Sequence, residues 1–296
     1  MHRTTLGDFE LTVVSDGLYY LDGGAMFGVV PKPMWEKKYP ADAQNRLHVG
    51  MNSLVVRTGE HTILIETGAG RGKLPDKAAA LFDLESKLLD NLHASGFAPE
   101  DFDIVINTHL HFDHSGWNTT RRADGHVVPT FPNARYYFQR GELVHAHQQH
   151  ERDRVSYLSD NYDPLLSNGQ AILLNGDAQL APGVRVALYP GHTEHHQIVI
   201  LESQGKTAAY AGDLIPTAAH LQPTWVMGYD LSPIASIDNR HRYYRSAIPE
   251  RWLTVFTHDP NTVWATITRD NAGRYTAEPL DKAGNQISMT SATEAR

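Results

Sequence analysis

Three histidines and an aspartate fall within six consecutive residues, directly after a short apolar run. The run DIVIN predicts a buried strand, and it leads into the hexapeptide HLHFDH at residues 109–114. In extended backbone, residues i and i+2 face the same way, so His109 and His111 can grip one metal ion from one side. His114 has the opposite parity and joins Asp113 in a second half-site. Burying these groups together without a cation would cost too much free energy, so the motif predicts a metal centre at a strand end.

Composition narrows the chemistry and the partners. The 296 residues include 17 histidines and no cysteine, and 26 Lys and Arg stand against 34 Asp and Glu, for a net charge of −8. Without cysteine there is no disulfide, no thiolate nucleophile and no cysteine-ligated zinc. Histidine and aspartate suit Zn²⁺, and they also suit Mn, Fe and Co. An acidic chain lacks the basic surface that a nucleic-acid partner requires.

Neither end of the chain predicts a membrane partner. No apolar run approaches the roughly 20 residues that cross a bilayer. The N-terminal sequence MHRTTLGDFELTVV has no apolar segment of the signal-peptide type. We therefore expect a cytoplasmic protein.

Short strands and interspersed helices predict one α/β domain over residues 1–283, followed by a flexible tail at 284–296. Strands are predicted at residues 9–14, 53–57, 62–66, 103–107, 135–138, 184–189, 197–201, 207–210, 252–256, 262–268 and 274–278. Helices are predicted at residues 76–95, 142–150 and 232–245. Leucines at three-to-four spacing, with a glycine after them, define the first of these helices.

Three further strands end in metal-binding residue types. They run, in chain order, into Pro190-Gly191-His192-Thr193, Ala211-Gly212-Asp213 and Thr257-His258-Asp259-Pro260. Because α/β proteins build their sites where strands end at one rim of a sheet, these segments and the histidine motif are expected to meet.

The H-x-H-x-D-H segment resembles the signature of the metallo-β-lactamase superfamily, and the G-H-T, G-D and final histidine segments follow in that family's order. The resemblance covers essentially the whole ordered chain. It implies an αββα sandwich, in which two mixed β-sheets are flanked by helices and the site lies at one edge. It also implies a first metal on His109, His111 and His192, a second metal on Asp113, His114 and His258, and Asp213 as the bridge.

The implied reaction is metal-assisted hydrolysis. Two divalent cations would lower the pKa of a bridging water toward about 7, and the resulting hydroxide would attack a carbonyl or phosphoryl centre. Asp113 and Asp213 are the expected catalytic residues, with Asp113 orienting the hydroxide and passing a proton to the leaving group. The residual positive charge of such a centre can stabilise a developing oxyanion.

Two departures from the family pattern leave roles open. Glu66 stands where many members place an aspartate, and we expect it to support the metal loop with a longer arm. The usual G-H-T-P-G-H is Gly191-His192-Thr193-Glu194-His195-His196 here, and for His195 and His196 supporting or surface roles are favoured over ligation. A solvated helix face is the favoured interpretation of three other histidines, His145, His147 and His150.

The substrate is expected to be a small hydrophobic ester or lactone, with phosphotriesterase activity as an additional expectation. Apolar and aromatic residues close to the motifs in sequence predict the pocket: Met26, Phe27, Phe112, Trp117, His220 and Tyr229. Two of them lie in a glycine-rich segment, residues 23–28, which reads either as a packed loop or as an apolar flap. The layout resembles the N-acyl-homoserine lactonase and methyl parathion hydrolase branch. The lactonases commonly carry a tyrosine where this chain has Pro216.

Other functions use the same ligand types. The alternatives are an organophosphate hydrolase, a β-lactamase, a thioester hydrolase, a nuclease, a redox di-iron protein and a non-catalytic metal-binding protein. The acidic charge speaks against the nuclease, and no flavin-binding partner domain supports the redox protein. A homodimer is expected by analogy alone.

Overall fold

Continuous apolar runs in the central strands build sheets that are covered on both faces. The structure, a computed structural model, describes residues 2–281, so the predicted tail at 284–296 lies outside the described residues. In the strand at Thr62–Ile65, Ile63 and Ile65 face the other sheet, whereas Leu64 faces the helices. A strand buried on both faces is continuously apolar, as this one is.

Two seven-stranded sheets and a small two-stranded sheet contain the strands of the described residues. In chain order the strands are β1 (His2–Leu6), β2 (Phe9–Asp22), β3 (Arg46–Arg57), β4 (Thr62–Ile65), β5 (Ile104–Ile106), β6 (Thr119–Arg121), β7 (Val127–Pro129), β8 (Arg135–Gln139), β9 (Ala171–Leu174), β10 (Ala178–Ala181), β11 (Val184–Leu188), β12 (Gln197–Ser203), β13 (Lys206–Tyr210), β14 (Leu253–Val255), β15 (Trp264–Arg269) and β16 (Tyr275–Pro279).

Both large sheets are mixed. The first runs β1-β2-β3-β4-β5-β8-β9, antiparallel up to β4 and parallel from β4 onwards. The second runs in chain order from β10 to β16, and only the β13–β14 pair is parallel. The hairpins predicted at residues 53–66 and 262–278 are confirmed as β3–β4 and β15–β16.

Helices cover the outer faces of the two sheets. They are α1 (Gly23–Phe27), α2 (Lys32–Trp35), α3 (Asp76–Phe82), α4 (Leu88–Ala94), α5 (Phe112–Ser115), α6 (Arg140–Gln148), α7 (Asp163–Ser167) and α8 (Pro233–Ala247). Leucines of α4 pack on the first sheet, and tyrosines of α8 pack on the second. The predicted αββα sandwich is confirmed. Within residues 2–281, no helix is both long and apolar enough to span a membrane.

The single helix predicted at residues 76–95 is wrong, because the structure has two helices there. Asp83 ends α3 in the left-handed conformation, at φ 46°. The amide groups of Lys87 and Leu88 then donate to the carboxylate of Asp16, at 2.9 and 2.6 Å, where α4 begins. This partner comes from β2, so the break depends on a contact that local leucine spacing cannot reveal.

The glycine-rich segment forms the short helix α1. Asp22 caps it by accepting a hydrogen bond from Ala25 N at 2.9 Å. Met26 and Phe27 are buried, and Phe27 stacks on Trp35 with ring centroids 5.0 Å apart. The observed segment is therefore packed against its neighbours, as the first of the two interpretations expects.

Candidate metal centre

The predicted ligands converge at one rim of the sandwich. His109 and His111 follow β5, and α5 then turns the chain so that the ring centroid of His114 lies 4.0 Å from that of His109. Three overlapping groups each bring their ligand atoms within 4.8 Å of one another: His109 with His111 and His192, His109 with His114 and Asp213, and Asp113 with His114 and His258. We call the first group the first half-site and the last group the second half-site.

Asp213 lies between the half-sites. Its Oδ2 is 3.2 Å from His192 Nε2 in the first half-site. Its Oδ1 is 3.4 Å from His114 Nε2 and 3.1 Å from His258 Nε2 in the second. One oxygen toward each half is the arrangement that a bridging carboxylate requires.

In the second half-site, two imidazole lone pairs face each other. His258 Nδ1 lies 2.8 Å from the Gly50 carbonyl, which can only accept, so this nitrogen carries the proton. His114 Nδ1 likewise faces Glu66 Oε2 at 3.4 Å. The two Nε2 atoms lie 3.3 Å apart and would both be acceptors if the rings were neutral, so positive charge is required between them. A cation between them resolves this conflict, so the second half-site fits a divalent metal.

The first half-site fits a metal on similar grounds. His192 Nδ1 pairs with Asp230 Oδ1 at 3.1 Å, which leaves its Nε2 to face His111 Nδ1 at 3.1 Å. His109 Nδ1 contacts the Thr108 hydroxyl at 2.9 Å. His109 Nε2 is buried and has no hydrogen-bond partner among residues 2–281. Fixing one ring nitrogen so that the other points inward is typical of metal-binding histidines.

The electrostatics favour cations at this rim. Although burial opposes ionisation, the imidazoles of His258, His114 and His192 hold the pKa of Asp213 well below its usual value. Burial would lower the pKa of His114, but the carboxylates of Asp213, Asp113 and Glu66 raise it to about 10. The carboxylate of Asp213 thus stays ionised and favours positive charge in the centre.

Glu66 contacts the metal loop, as its position in the sequence led us to expect. Its Oε1 accepts a hydrogen bond from Thr108 N at 2.6 Å, and its Oε2 faces His114. Glu66 has a φ of 64°, a conformation that is costly for residues other than glycine and recurs at functional sites. One carboxylate therefore ties the end of β4 to both sides of the histidine motif.

Five further histidines that the sequence analysis singled out have contacts outside the ligand set. His196 is buried, and its Nε2 accepts from Asp213 N at 3.1 Å, so it supports the bridging residue. His195 is half-buried and packs beside Gly141. The three histidines near α6 hold other contacts: His145 pairs with Asp153 at 2.7 Å, His147 pairs with Asp163 at 2.7 Å, and His150 accepts from Arg152 N at 3.1 Å.

Sequence reasoning missed three buried residues that contact the centre. Tyr19 donates from its hydroxyl to Asp113 Oδ2 at 2.6 Å, and Asp230 orients His192. The carboxylate of Glu142 accepts from Leu110 N, the Tyr157 hydroxyl and the Thr193 hydroxyl, at 3.2, 2.8 and 2.7 Å. These residues lie far from the motifs in sequence. A buried acidic position inside an apolar helix face was the one available signal, for Glu142.

The predicted pocket residues divide into two sets. Phe112 and Tyr229 lie close to the metal ligands. Phe112 precedes Asp113 and stacks on Phe82 with centroids 5.8 Å apart. Tyr229 is 36% exposed, and burial, with the carboxylates of Asp22 and Asp113, raises its pKa to about 12.

The residues of the other set are buried and contact other parts of the fold. His220 stacks on Phe27 at 4.3 Å and bonds to the Met26 carbonyl at 2.9 Å through Nε2. Burial and the charge of Arg240 lower the pKa of His220 to about 3, so it is a neutral packing residue. Trp117 donates from its indole nitrogen to Asp16 and to the Ser86 hydroxyl, at 3.0 and 2.8 Å.

Comparison with known families shows which superfamily the chain belongs to. A family model described as the metallo-beta-lactamase superfamily matches residues 49–266, which include all seven predicted ligands. The chain belongs to the metallo-β-lactamase superfamily.

Relatives and solved structures agree with that membership. An N-acyl homoserine lactonase of Bacillus cereus is 27% identical over 176 residues, which are 54% of this chain and 61% of the relative, so less than two thirds of the relative is covered. A probable metal-dependent hydrolase from Staphylococcus aureus has 32% identity and a TM-score of 0.83, over 92% of this chain and 98% of that one. AidC, a dizinc quorum-quenching lactonase, has 20% identity and a TM-score of 0.77, over 94% and 97%. At that identity the last similarity shows the fold alone.

Proposed function

We propose that this metallo-β-lactamase superfamily protein is a hydrolase whose centre holds two divalent cations and that it opens lactones or cleaves hydrophobic esters. One observation carries the proposal: Asp213 directs one oxygen to each half-site, between pairs of opposed imidazole nitrogens. Zn²⁺ suits these ligands best, and Mn, Fe and Co suit them too.

The residues of this chain divide the chemistry between them. Two divalent cations held here would supply Lewis acidity toward a carbonyl oxygen and would acidify water. Asp113 is 2.6 Å from the Tyr19 hydroxyl and 11% exposed at its side chain, so its carboxylate can take a proton at the centre and release it to a leaving oxygen. Asp213 holds the two half-sites at a fixed separation. No cysteine or serine nucleophile is required.

Two side chains, Phe112 and Tyr229, form a wall beside the centre and indicate the class of substrate. Phe112 offers an apolar face beside Asp113, and Tyr229 offers a hydroxyl at the rim. Such a wall suits an apolar chain attached to a small polar ring or ester group. The relative from Bacillus cereus is named an N-acyl homoserine lactonase, which supports lactones as the first class to test. The pocket roles predicted for four other residues stay predictions: Met26, Phe27, Trp117 and His220. The homodimer stays a prediction too.

The test is a substrate panel with a matched pair of variants. Lactones, aryl esters, phosphotriesters and β-lactams are ranked by kcat/KM on the zinc-loaded protein, and lactones or aryl esters are expected to rank first. Asp213→Ala should lower hydrolysis to background, because it removes the bridge. Asp238→Ala, at an exposed position of α8, is the control and should keep full activity. A best rate on β-lactams, or full activity of Asp213→Ala, would contradict the proposal.

A further inference from the structure

Tyr19 reaches the metal centre from a part of the chain that the family match does not include. The match begins at residue 49, whereas Tyr19 lies on β2. Its side chain is 1% exposed, and its hydroxyl donates to Asp113 Oδ2 at 2.6 Å. Among the described residues, no other side chain donates a hydrogen bond to the Asp113 carboxylate.

A β-bulge sets the position of Tyr19. The pairing of β2 with β3 shifts by one residue between Ser15 and Leu18, so that Tyr19 stands opposite Val49. A one-residue shift in register exchanges the two faces of a strand, so without the bulge another residue would occupy this place. The carboxylate of Asp16 anchors the bulge by accepting hydrogen bonds from Ala69 N and from the amides at the start of α4.

The hydroxyl acts on the oxygen that faces the second half-site. Asp113 Oδ2 is 3.7 Å from both His114 Nε2 and His258 Nε2. The ring of Tyr19 also meets the ring of His258 edge to face, with centroids 6.0 Å apart. Val49 is the strand partner of Tyr19, and the next residue, Gly50, presents the carbonyl that orients His258. Tyr19 therefore touches two of the three residues of the second half-site.

We propose that Tyr19 is a positioning residue for the second half-site, where it holds the Asp113 carboxylate turned toward the cation-binding nitrogens. The inference rests on the two-cation centre proposed above. It predicts an asymmetric effect: loss of the hydroxyl weakens binding at the second half-site and leaves the first half-site unchanged. Because Tyr19 is buried, the apparent substrate KM of the fully loaded protein should not change.

The experiment measures zinc affinity, so it does not depend on the substrate. Wild type, Tyr19→Phe and Tyr243→Phe are titrated with Zn²⁺ against a chromophoric chelator of known affinity. The control, Tyr243, is also fully buried, and its hydroxyl pairs with Thr254 on the outer side of the second sheet. Each variant removes one buried tyrosine hydroxyl and its hydrogen bond, so a general effect of losing such a hydroxyl should appear in both variants.

Tyr19→Phe is expected to weaken one of the two zinc affinities by about tenfold, as the loss of contacts to a metal ligand typically does, and to leave the other at its wild-type value. Tyr243→Phe should keep both affinities. Wild-type affinities in Tyr19→Phe, or an equal loss in both variants, would overturn the inference while leaving the proposed function intact. A wild-type protein that binds fewer than two ions would overturn both.

Discussion

At the scale of single residues, the centre depends on polar groups that contact the outer nitrogen of three of the five candidate ligand histidines. Glu66, Asp230 and the Gly50 carbonyl contact His114, His192 and His258 in this way. Each contact selects one tautomer and leaves the inner nitrogen free to bind a cation. The geometry of the centre is therefore set as much by these partners as by the ligands.

Glu142 supports a test of this dependence. Replacing it with alanine leaves three buried donors unpaired: Leu110 N and the hydroxyls of Tyr157 and Thr193. We expect Glu142→Ala to lower the free energy of unfolding by about 3 kcal/mol, since each unpaired buried group costs about 1 kcal/mol or more. Urea denaturation measures this loss. The control, Glu151→Ala, changes an exposed glutamate and should have little effect. Equal stability of the two variants would mean that the three hydrogen bonds to Glu142 do not stabilise the fold.

Asp16 predicts a pH dependence of stability. Burial raises its pKa from 3.8 to about 6, so the folded protein holds this proton more tightly than the unfolded chain does. Its contribution to the free energy of unfolding is therefore largest below pH 4 and falls by about 3 kcal/mol as the pH rises through 6. Asp16→Asn lacks this titration. Urea denaturation from pH 4 to pH 7 should show that the wild type loses stability relative to Asp16→Asn as the pH rises. A difference between the two free energies of unfolding that stays constant with pH would refute the assignment.

At the scale of elements, the turns after the strands bring the ligands together. Gly212, after β13, has a φ of +53° and lies against His196 and Thr108. A Cβ there would stand 2.6 Å from His196 Nε2 and 2.9 Å from the Thr108 side chain. Both neighbours support metal ligands, Asp213 and His109 respectively. The space for this turn is therefore part of the centre.

Gly212→Ala should lower zinc affinity by at least about tenfold, because His196 and Thr108 must move away from the residues that they support. Chelator competition measures the change. Gly205→Ala is a matched control, since Gly205 also has a positive φ, of +69°, but a Cβ there meets nothing within 4 Å. Both variants share the backbone strain, and only the first should lose metal. If both lose metal equally, strain rather than contact is responsible.

Elements that follow from local pattern were predictable, and elements set by distant contacts were not. The hairpin of β3 and β4 follows from two β-branched runs around a turn, and it is confirmed. The break between α3 and α4 was missed, because the carboxylate of Asp16 creates it from 70 residues away. The bulge in β2 was missed for the same reason.

At the scale of the whole molecule, three layers of buried apolar side chains stabilise the sandwich that carries the centre. One apolar core lies between the sheets, and two others lie under the outer helices. The ligand-bearing turns follow β5, β11, β13 and β14, so both sheets contribute to a single rim. The centre therefore depends on the register of the two sheets as well as on the motif.

The convergence of the seven candidate ligands could be predicted from sequence, because each follows an apolar strand and the four segments keep a known order. Their buried partners could not, since Tyr19, Asp230 and Glu142 lie in segments with no motif. Contacts of this kind are defined only once the sheets have packed. The same limit applies to the pocket, where proximity in sequence did not separate exposed Tyr229 from buried Phe27.

The central claim is that opposed imidazole nitrogens and the bridging Asp213 form a centre for two cations. The most direct measurement is elemental analysis of the full chain after incubation with excess Zn²⁺ and removal of free metal. The account predicts two zinc ions per chain for the wild type. One ion or none per chain would contradict it.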